Sequence, residues 1–144
     1  MSDLLESSET IRLDFPASLK YLNVLGACVS AILVHAQDTQ DMAVVAYHIQ
    51  LALHEICTNI MIHAYALVPV GRIEVSITLY PQKKHLEIEF FDYGEPFDEA
   101  KVTAPDLEHG QVHGYGLFLA RNLMDTVQYE RKEKKNCWRL IKHL

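Results

Sequence analysis

Between Val45 and Ala64 the chain carries an apolar stripe that leaves it few ways to fold. Val45, Ile49, Leu53, Ile56, Ile60 and Ala64 recur at helical spacing, so they form one face that has to be buried. The same run holds Glu55 and Asn59, four residues apart, which stand one turn above each other on another face of the helix. A carboxylate beside an amide oxygen can act as a base next to a hard-cation ligand, because magnesium takes oxygen donors. Alone, the pair also fits a solvent-facing helix surface, and the rest of the chain has to decide between the two.

Around this helix the periodicity predicts a simple order of elements. Thr10 to Phe15 alternates apolar and polar side chains as a half-buried strand does, and Pro16 ends it. Ser18 is the expected cap of a first helix whose stripe is Leu19, Leu22, Leu25, Val29, Ile32 and Leu33. Asp38 is the expected cap of the long central helix, which should stop near Leu67 because Pro69 disfavours helical geometry at Val68. Ile73, Val75, Ile77 and Leu79 then mark one strand, Pro81 to Lys84 a polar turn, and Leu86, Ile88 and Phe90 the return strand. Gly94 to His113 lacks periodicity and is longer than most connections, as functional lids are. Gly114-Tyr115-Gly116 opens a third helix, with Leu117, Ala120, Leu123 and Met124 facing inward. Thr126 to Arg131 and Asn136 to His143 close the chain as a hairpin around a solvated turn from Lys132 to Lys135. Strands beside grouped helices predict an α+β sandwich with helices on one face, residues 1–9 being a loose N-terminal segment and 10–144 a single domain.

Composition narrows the function. A chain of 144 residues can bury a proper core in one domain, and a formal charge of -6 argues against a general nucleic-acid or anionic-membrane surface. No apolar run is long enough to span a membrane, and the acidic start Met1 to Glu6 has no signal-peptide pattern. Cys28, Cys57 and Cys137 are odd in number and set in apolar context, which suits free thiols in a reducing cytoplasm. None of the eight histidines falls into a recognised metal spacing.

Three polar insertions interrupt the apolar pattern: Glu55 with Asn59, Asp92-Tyr93-Gly94, and Gly114-Tyr115-Gly116. The second is the sharpest. Asp92 continues the series Leu86, Ile88, Phe90, so the two-residue period turns its carboxylate toward the buried face, where an internal donor or a ligand has to compensate it. A nucleotide would fit all three: its base amine on Asp92, its magnesium on Asn59, and its phosphates on the amides of Gly114, Tyr115, Gly116 and Leu117. The G-x-G is neither a P-loop nor a dinucleotide fingerprint, because the lysine and third glycine are missing.

The three blocks resemble the N, G1 and G2 boxes of the GHKL ATPases, which share the Bergerat fold. They are similar, more narrowly, to bacterial anti-sigma-factor serine/threonine kinases of the switch-kinase type. The N-box match is Glu55 to Asn59 with Ile62 to Tyr65, the G1 match runs from Phe91 to Asp98, and the G2 match from Gly114 to Asp125. The resemblance implies that Asn59 coordinates magnesium and that Glu55 is the base or orienting group for an incoming hydroxyl. It implies that Asp92 accepts from the adenine amine, Gly94 shapes the adenine pocket with Phe97 in the same nucleotide-binding set, and Gly114 and Gly116 let lid and helix start hold the phosphates. It further implies ATP as phosphoryl donor, an anti-sigma-factor antagonist as substrate, sequestration of a sigma factor, a homodimer, and no direct contact with nucleic acid or membrane.

The chain departs from the pattern in places. Glu95 and Pro96 stand where a second G1 glycine is common, and Lys101 is the only lysine or arginine between Gly94 and Gly114. A threonine commonly lines the adenine pocket on the last strand, and Arg139 is its expected counterpart here. Two other functions compete with the kinase: a nucleotide-gated partner-switch module with weak or no transfer, and a histidine-kinase catalytic domain separated from its phospho-accepting hairpin.

Overall fold

The computed structural model of the chain describes residues 7–35, 41–66, 70–98 and 115–144. Five strands are present: β1 (Glu9–Pro16), β2 (Arg72–Tyr80), β3 (His85–Asp92), β4 (Thr126–Lys132) and β5 (Lys135–His143). They pair antiparallel in one sheet of order β1-β2-β3-β5-β4. The chain therefore leaves β3, passes through a helix to the far edge as β4, and folds back as β5 beside β3. The helices are α1 (Leu22–Leu33), preceded by a 3-10 turn at Leu19–Tyr21, then α2 (Met42–Asn59), and α3 (Tyr115–Leu123). The architecture is the α+β layering that the patterning predicts.

One sheet face makes the core. Ile73, Val75, Ile77 and Leu79 of β2, Leu86, Ile88 and Phe90 of β3, and Trp138 and Leu140 of β5 are buried with Val45, Ile49, Leu53 and Ile56 of α2 and with Ile60 and Ala64 just beyond its end. Each Val, Leu, Ile and Phe side chain among them contributes roughly 1.5–3 kcal/mol of transfer free energy. The other face is mostly polar and open; of its residues Cys137 and Glu87 are buried, and Glu87 is covered by Arg139, with His85 Nε2 4.0 Å from its carboxylate.

Several boundaries differ from expectation. β1 begins at Glu9 and keeps Pro16 paired opposite Arg72, as the last residue of an edge strand can be. Ser18 stands at the cap position of the 3-10 turn, but its side chain makes no capping bond. The expected cap Asp38 lies outside the described residues; α2 is capped by Asp41, whose side chain accepts from the Ala43 amide at 3.0 Å. The central helix ends earlier than Leu67, which with Val68 and Pro69 is outside the described residues. After Asn59 it widens into a π-turn over Ile60–Ala64, closed by the Tyr65 amide donating to the Ile60 carbonyl at 3.2 Å. Ala66 then turns left-handed at φ 49°, so the helix stops before proline can act. The last hairpin turns on Glu133 and Lys134 alone, because Lys132 and Lys135 still pair.

Candidate functional site

The helix α2 and its π-turn form a spine that touches the start of α3 at Glu55 and the chain after β3 at His63 and Ala64. At Glu55 the neighbour is Gly116: a Cβ there would run into the Glu55 carboxylate. The Glu55 side chain is 28% exposed, which leaves it open to an incoming group, and His54 Nδ1 lies 3.8 Å from its Oε1. One turn on, Asn59 holds its Nδ2 fully buried and without a hydrogen-bond partner. Rotating this amide by half a turn exchanges nitrogen and oxygen, so the same point can present an oxygen to a cation. Among the described residues no three His, Cys, Asp or Glu side chains gather as a metal cage. Magnesium needs none, since it is commonly held by one or two protein oxygens plus water and phosphate. The residues present fit that use.

At the far end of the spine the chain after β3 is pinned to the π-turn. The Glu95 amide donates to the Ala64 carbonyl at 2.8 Å, satisfying one of the oxygens a helix end leaves open. Gly94 sits so close that a Cβ would overlap the Ala64 backbone. The Tyr65 hydroxyl accepts from the Tyr93 amide at 2.9 Å and donates to the Arg72 carbonyl at 2.6 Å. The ring of Phe97 packs edge-on to His63, Tyr129 and Trp138, with centroids 5.8, 5.6 and 5.0 Å away.

Asp92 is completely buried, as its place in the alternation requires. The β3–β5 register sets it opposite Asn136, and the β4–β5 register sets Asn136 opposite Arg131. Asn136 Nδ2 donates to Asp92 Oδ1 at 2.7 Å and the Gly94 amide donates to the same oxygen at 3.0 Å. Burial pushes the Asp92 pKa above its ordinary value, and the bonds from Asn136 and Gly94, with the charge of Arg131, pull it back. Asp92 Oδ2 has no partner at all. Among the described residues, the fully buried side-chain polar atoms left unpaired are Asn59 Nδ2 and Asp92 Oδ2. Such orphans are rare and each calls for an explanation.

The structure thus sets Gly116 against Glu55, and the segment from Gly94 to Phe97 against the π-turn that follows Asn59. Leu117 is buried in the core, so what it can offer a ligand is its backbone amide at the start of α3. Tyr115 is the first residue of α3; Gly114 and Lys101 lie outside the described residues. Arg139 is not at the pocket. It pairs with Glu89, three positions from Asn136, and its odd offset turns it to the outer face, where it bonds Glu87. The last-strand residue that faces Asp92 is Asn136. The alternation Asn136, Trp138, Leu140 opposite Asp92, Phe90, Ile88 could have revealed it, once the strand pairing was known.

Comparison with known proteins gives the family and the fold. A family model described as a histidine kinase-like ATPase domain matches residues 15–142. Serine-protein kinases RsbW of Bacillus cereus and Bacillus anthracis are 31% identical, the match covering 90% of this chain and 82% of theirs. In fold, the chain is similar to a crystal structure of the RsbU and RsbW domains of a Mycobacterium tuberculosis protein. That match has a TM-score of 0.65 at 17% identity, over 94% of this chain and 32% of the longer one.

Proposed function

The chain belongs to the histidine kinase-like ATPase family, and on that premise we propose that it is an ATP-dependent protein serine/threonine kinase and anti-sigma factor. In this reading it phosphorylates an anti-sigma-factor antagonist and sequesters a sigma factor. The support comes from the two orphaned buried atoms, Asp92 Oδ2 on β3 and Asn59 Nδ2 on α2. One is an acceptor suited to a base amine and the other an amide suited to a cation, and Asn59 stands one turn from Glu55 on the same helix.

The residues divide the work as follows. Asp92 accepts a hydrogen from the exocyclic amine of adenine, in the pocket that Gly94 and Phe97 help to shape. Asn59 turns its oxygen to magnesium, which when bound neutralises phosphate charge. The backbone amides of Tyr115, Gly116 and Leu117, at the start of α3, face the phosphates, where a helix N-terminus favours anions, and Gly114 is assigned to the same phosphate-holding role by its sequence alone. Glu55 takes the proton of the acceptor hydroxyl while that oxygen bonds to the γ-phosphorus, the bond to the β,γ-bridging oxygen breaks and ADP leaves. Such transfer asks mainly for positioning and charge stabilisation, so this short set of groups is sufficient.

We also place the domain at 10–144, acting as a homodimer in the cytoplasm. The free thiols Cys28, Cys57 and Cys137 support a reducing compartment, and no helix among the described residues is long and apolar enough to cross a membrane. The test is incubation with γ-labelled ATP, magnesium and antagonist proteins purified from the same cells. Label on a serine or threonine of the antagonist supports the kinase. A nucleotide-dependent complex that never acquires label would instead mark a partner-switch module.

A further inference from the structure

Asn136 uses every hydrogen-bonding position its amide has. Nδ2 donates to Asp92 Oδ1 at 2.7 Å and to the Glu95 carbonyl at 2.8 Å. Oδ1 accepts from the Tyr129 hydroxyl and from Arg131 Nη1 at 3.1 Å. Flipping the amide would set its oxygen against a carboxylate and a carbonyl, and its NH2 against a guanidinium. The neighbours therefore dictate its orientation. Tyr129 also accepts from the Phe97 amide at 2.9 Å, and Arg131 Nη1 donates to the Gly94 carbonyl at 2.8 Å. The circuit reaches the chain after β3 at Gly94, Glu95 and Phe97.

The consequence falls on Asp92. Its Oδ1 is saturated by Asn136 and Gly94, so Oδ2 is the one position left for a ligand. An ionised carboxylate with one open oxygen accepts from an amine and repels a carbonyl. A protonated one could donate to a carbonyl and would lose that choice.

We propose that Asn136 sets the base specificity of this site: it holds Asp92 as a pure acceptor and so selects a purine with an exocyclic amine over one with a carbonyl. It is a positioning residue, acting through Asp92, and the inference rests on the nucleotide reading above. Among the described residues, the charged and titratable groups facing Asp92 are Arg131 from β4 and Tyr65 from the end of the π-turn. Burial keeps the Tyr65 hydroxyl protonated, so Asn136 and Arg131 are the side chains that oppose protonation of Asp92.

Affinities for ATP and ITP, which differ at that amine, test this in the full chain by calorimetry. Asn136→Asp keeps the oxygen that Tyr129 and Arg131 bond but replaces the donor with an acceptor beside Asp92, so the two carboxyls must share a proton. The expected result is a fall of at least about tenfold in the ATP-to-ITP affinity ratio, because a site built for one hydrogen-bonding partner loses its basis for rejection. Tyr129→Phe should give a smaller fall, with circular dichroism checking that both variants fold. An unchanged ratio in Asn136→Asp overturns the proposal, as does an unchanged ratio in Tyr129→Phe should the first variant not fold. A wild-type chain that binds ATP and ITP equally removes the role of Asn136 and leaves the nucleotide reading standing. A wild-type chain that binds neither removes both.

Discussion

The Ala64 carbonyl accepts the amide of Glu95 at 2.8 Å, joining the end of the central helix to the strand that carries Asp92. Gly94 makes the approach possible, since a side chain there would overlap the Ala64 carbonyl and its Cβ. Gly94→Ala should therefore destabilise the fold by about 2 kcal/mol, the size of a forced backbone shift in a packed region. Urea unfolding followed by circular dichroism measures it. A midpoint equal to wild type would mean that the contact yields without strain.

Asn59 separates function from stability. Its buried Nδ2 has no partner, and a polar group in that state costs about 1–3 kcal/mol. Alanine is also the better helix former. Asn59→Ala should thus leave the ligand-free protein as stable as wild type or more so, while abolishing the magnesium-dependent rise in melting temperature on adding ATP. A variant that is markedly less stable without ligand, or that keeps this rise, would rule out a ligand-holding role.

The burial of Asp92 makes a prediction about pH with a definite sign. Its folded pKa lies above the unfolded value, so in the window between the two the native state binds more protons. Stability of the ligand-free protein should then fall as pH rises from the ordinary carboxylate range through the raised pKa, and Asp92→Asn should flatten that slope. ATP affinity should run the other way, weakening as the pH drops through the raised pKa and the acceptor is lost. Chemical unfolding and nucleotide titration over a common pH series check both, and parallel curves for wild type and Asp92→Asn would take Asp92 out of the account.

Much of this site was legible in the chain before any coordinates. The burial of Asp92 follows from two-residue alternation, and the Glu55–Asn59 pair from helical spacing, because both are local periodicities. What escaped was non-local. Asn136 is an ordinary polar residue next to a charged turn until the β3–β5 register sets it opposite Asp92, and no local signal carries register across an intervening helix. Arg139 was misplaced for the same reason, since an error in strand pairing by an odd number of residues reverses the face. The π-turn was hidden as well. Its bond from Tyr65 to Ile60 lies where the helix end meets Gly94 and Glu95, a non-local contact that propensity does not encode.

Glu55 should matter to transfer and not to binding. Glu55→Gln keeps the shape beside Gly116 but removes the base, so ATP affinity should stay within a few-fold of wild type. Phosphate transfer to the antagonist should drop by roughly 10²–10⁴-fold, the usual range for loss of a general base. Undiminished transfer, read as label on the antagonist, would remove Glu55 from the chemistry.

Gly116 offers a subtler probe of the same group. In a helix, glycine to alanine ordinarily stabilises, by up to roughly 0.5–1 kcal/mol in the interior and by less in the first turn where Gly116 lies, because the unfolded chain loses freedom. Here the added methyl would strike the far end of the Glu55 side chain, which can swing aside, and would sit an ordinary distance from its Cβ. The helix should therefore tolerate Gly116→Ala, with the urea midpoint equal to or above wild type. The Glu55 carboxylate, however, would leave the position it holds against α3, and transfer should fall at least about tenfold through misplacement of the reacting groups. Combining Gly116→Ala with Glu55→Gln then discriminates. If the glycine acts by positioning Glu55, the double variant should transfer no more slowly than Glu55→Gln alone. Multiplying effects would show instead that Gly116 serves the phosphates through its own backbone, independently of the carboxylate.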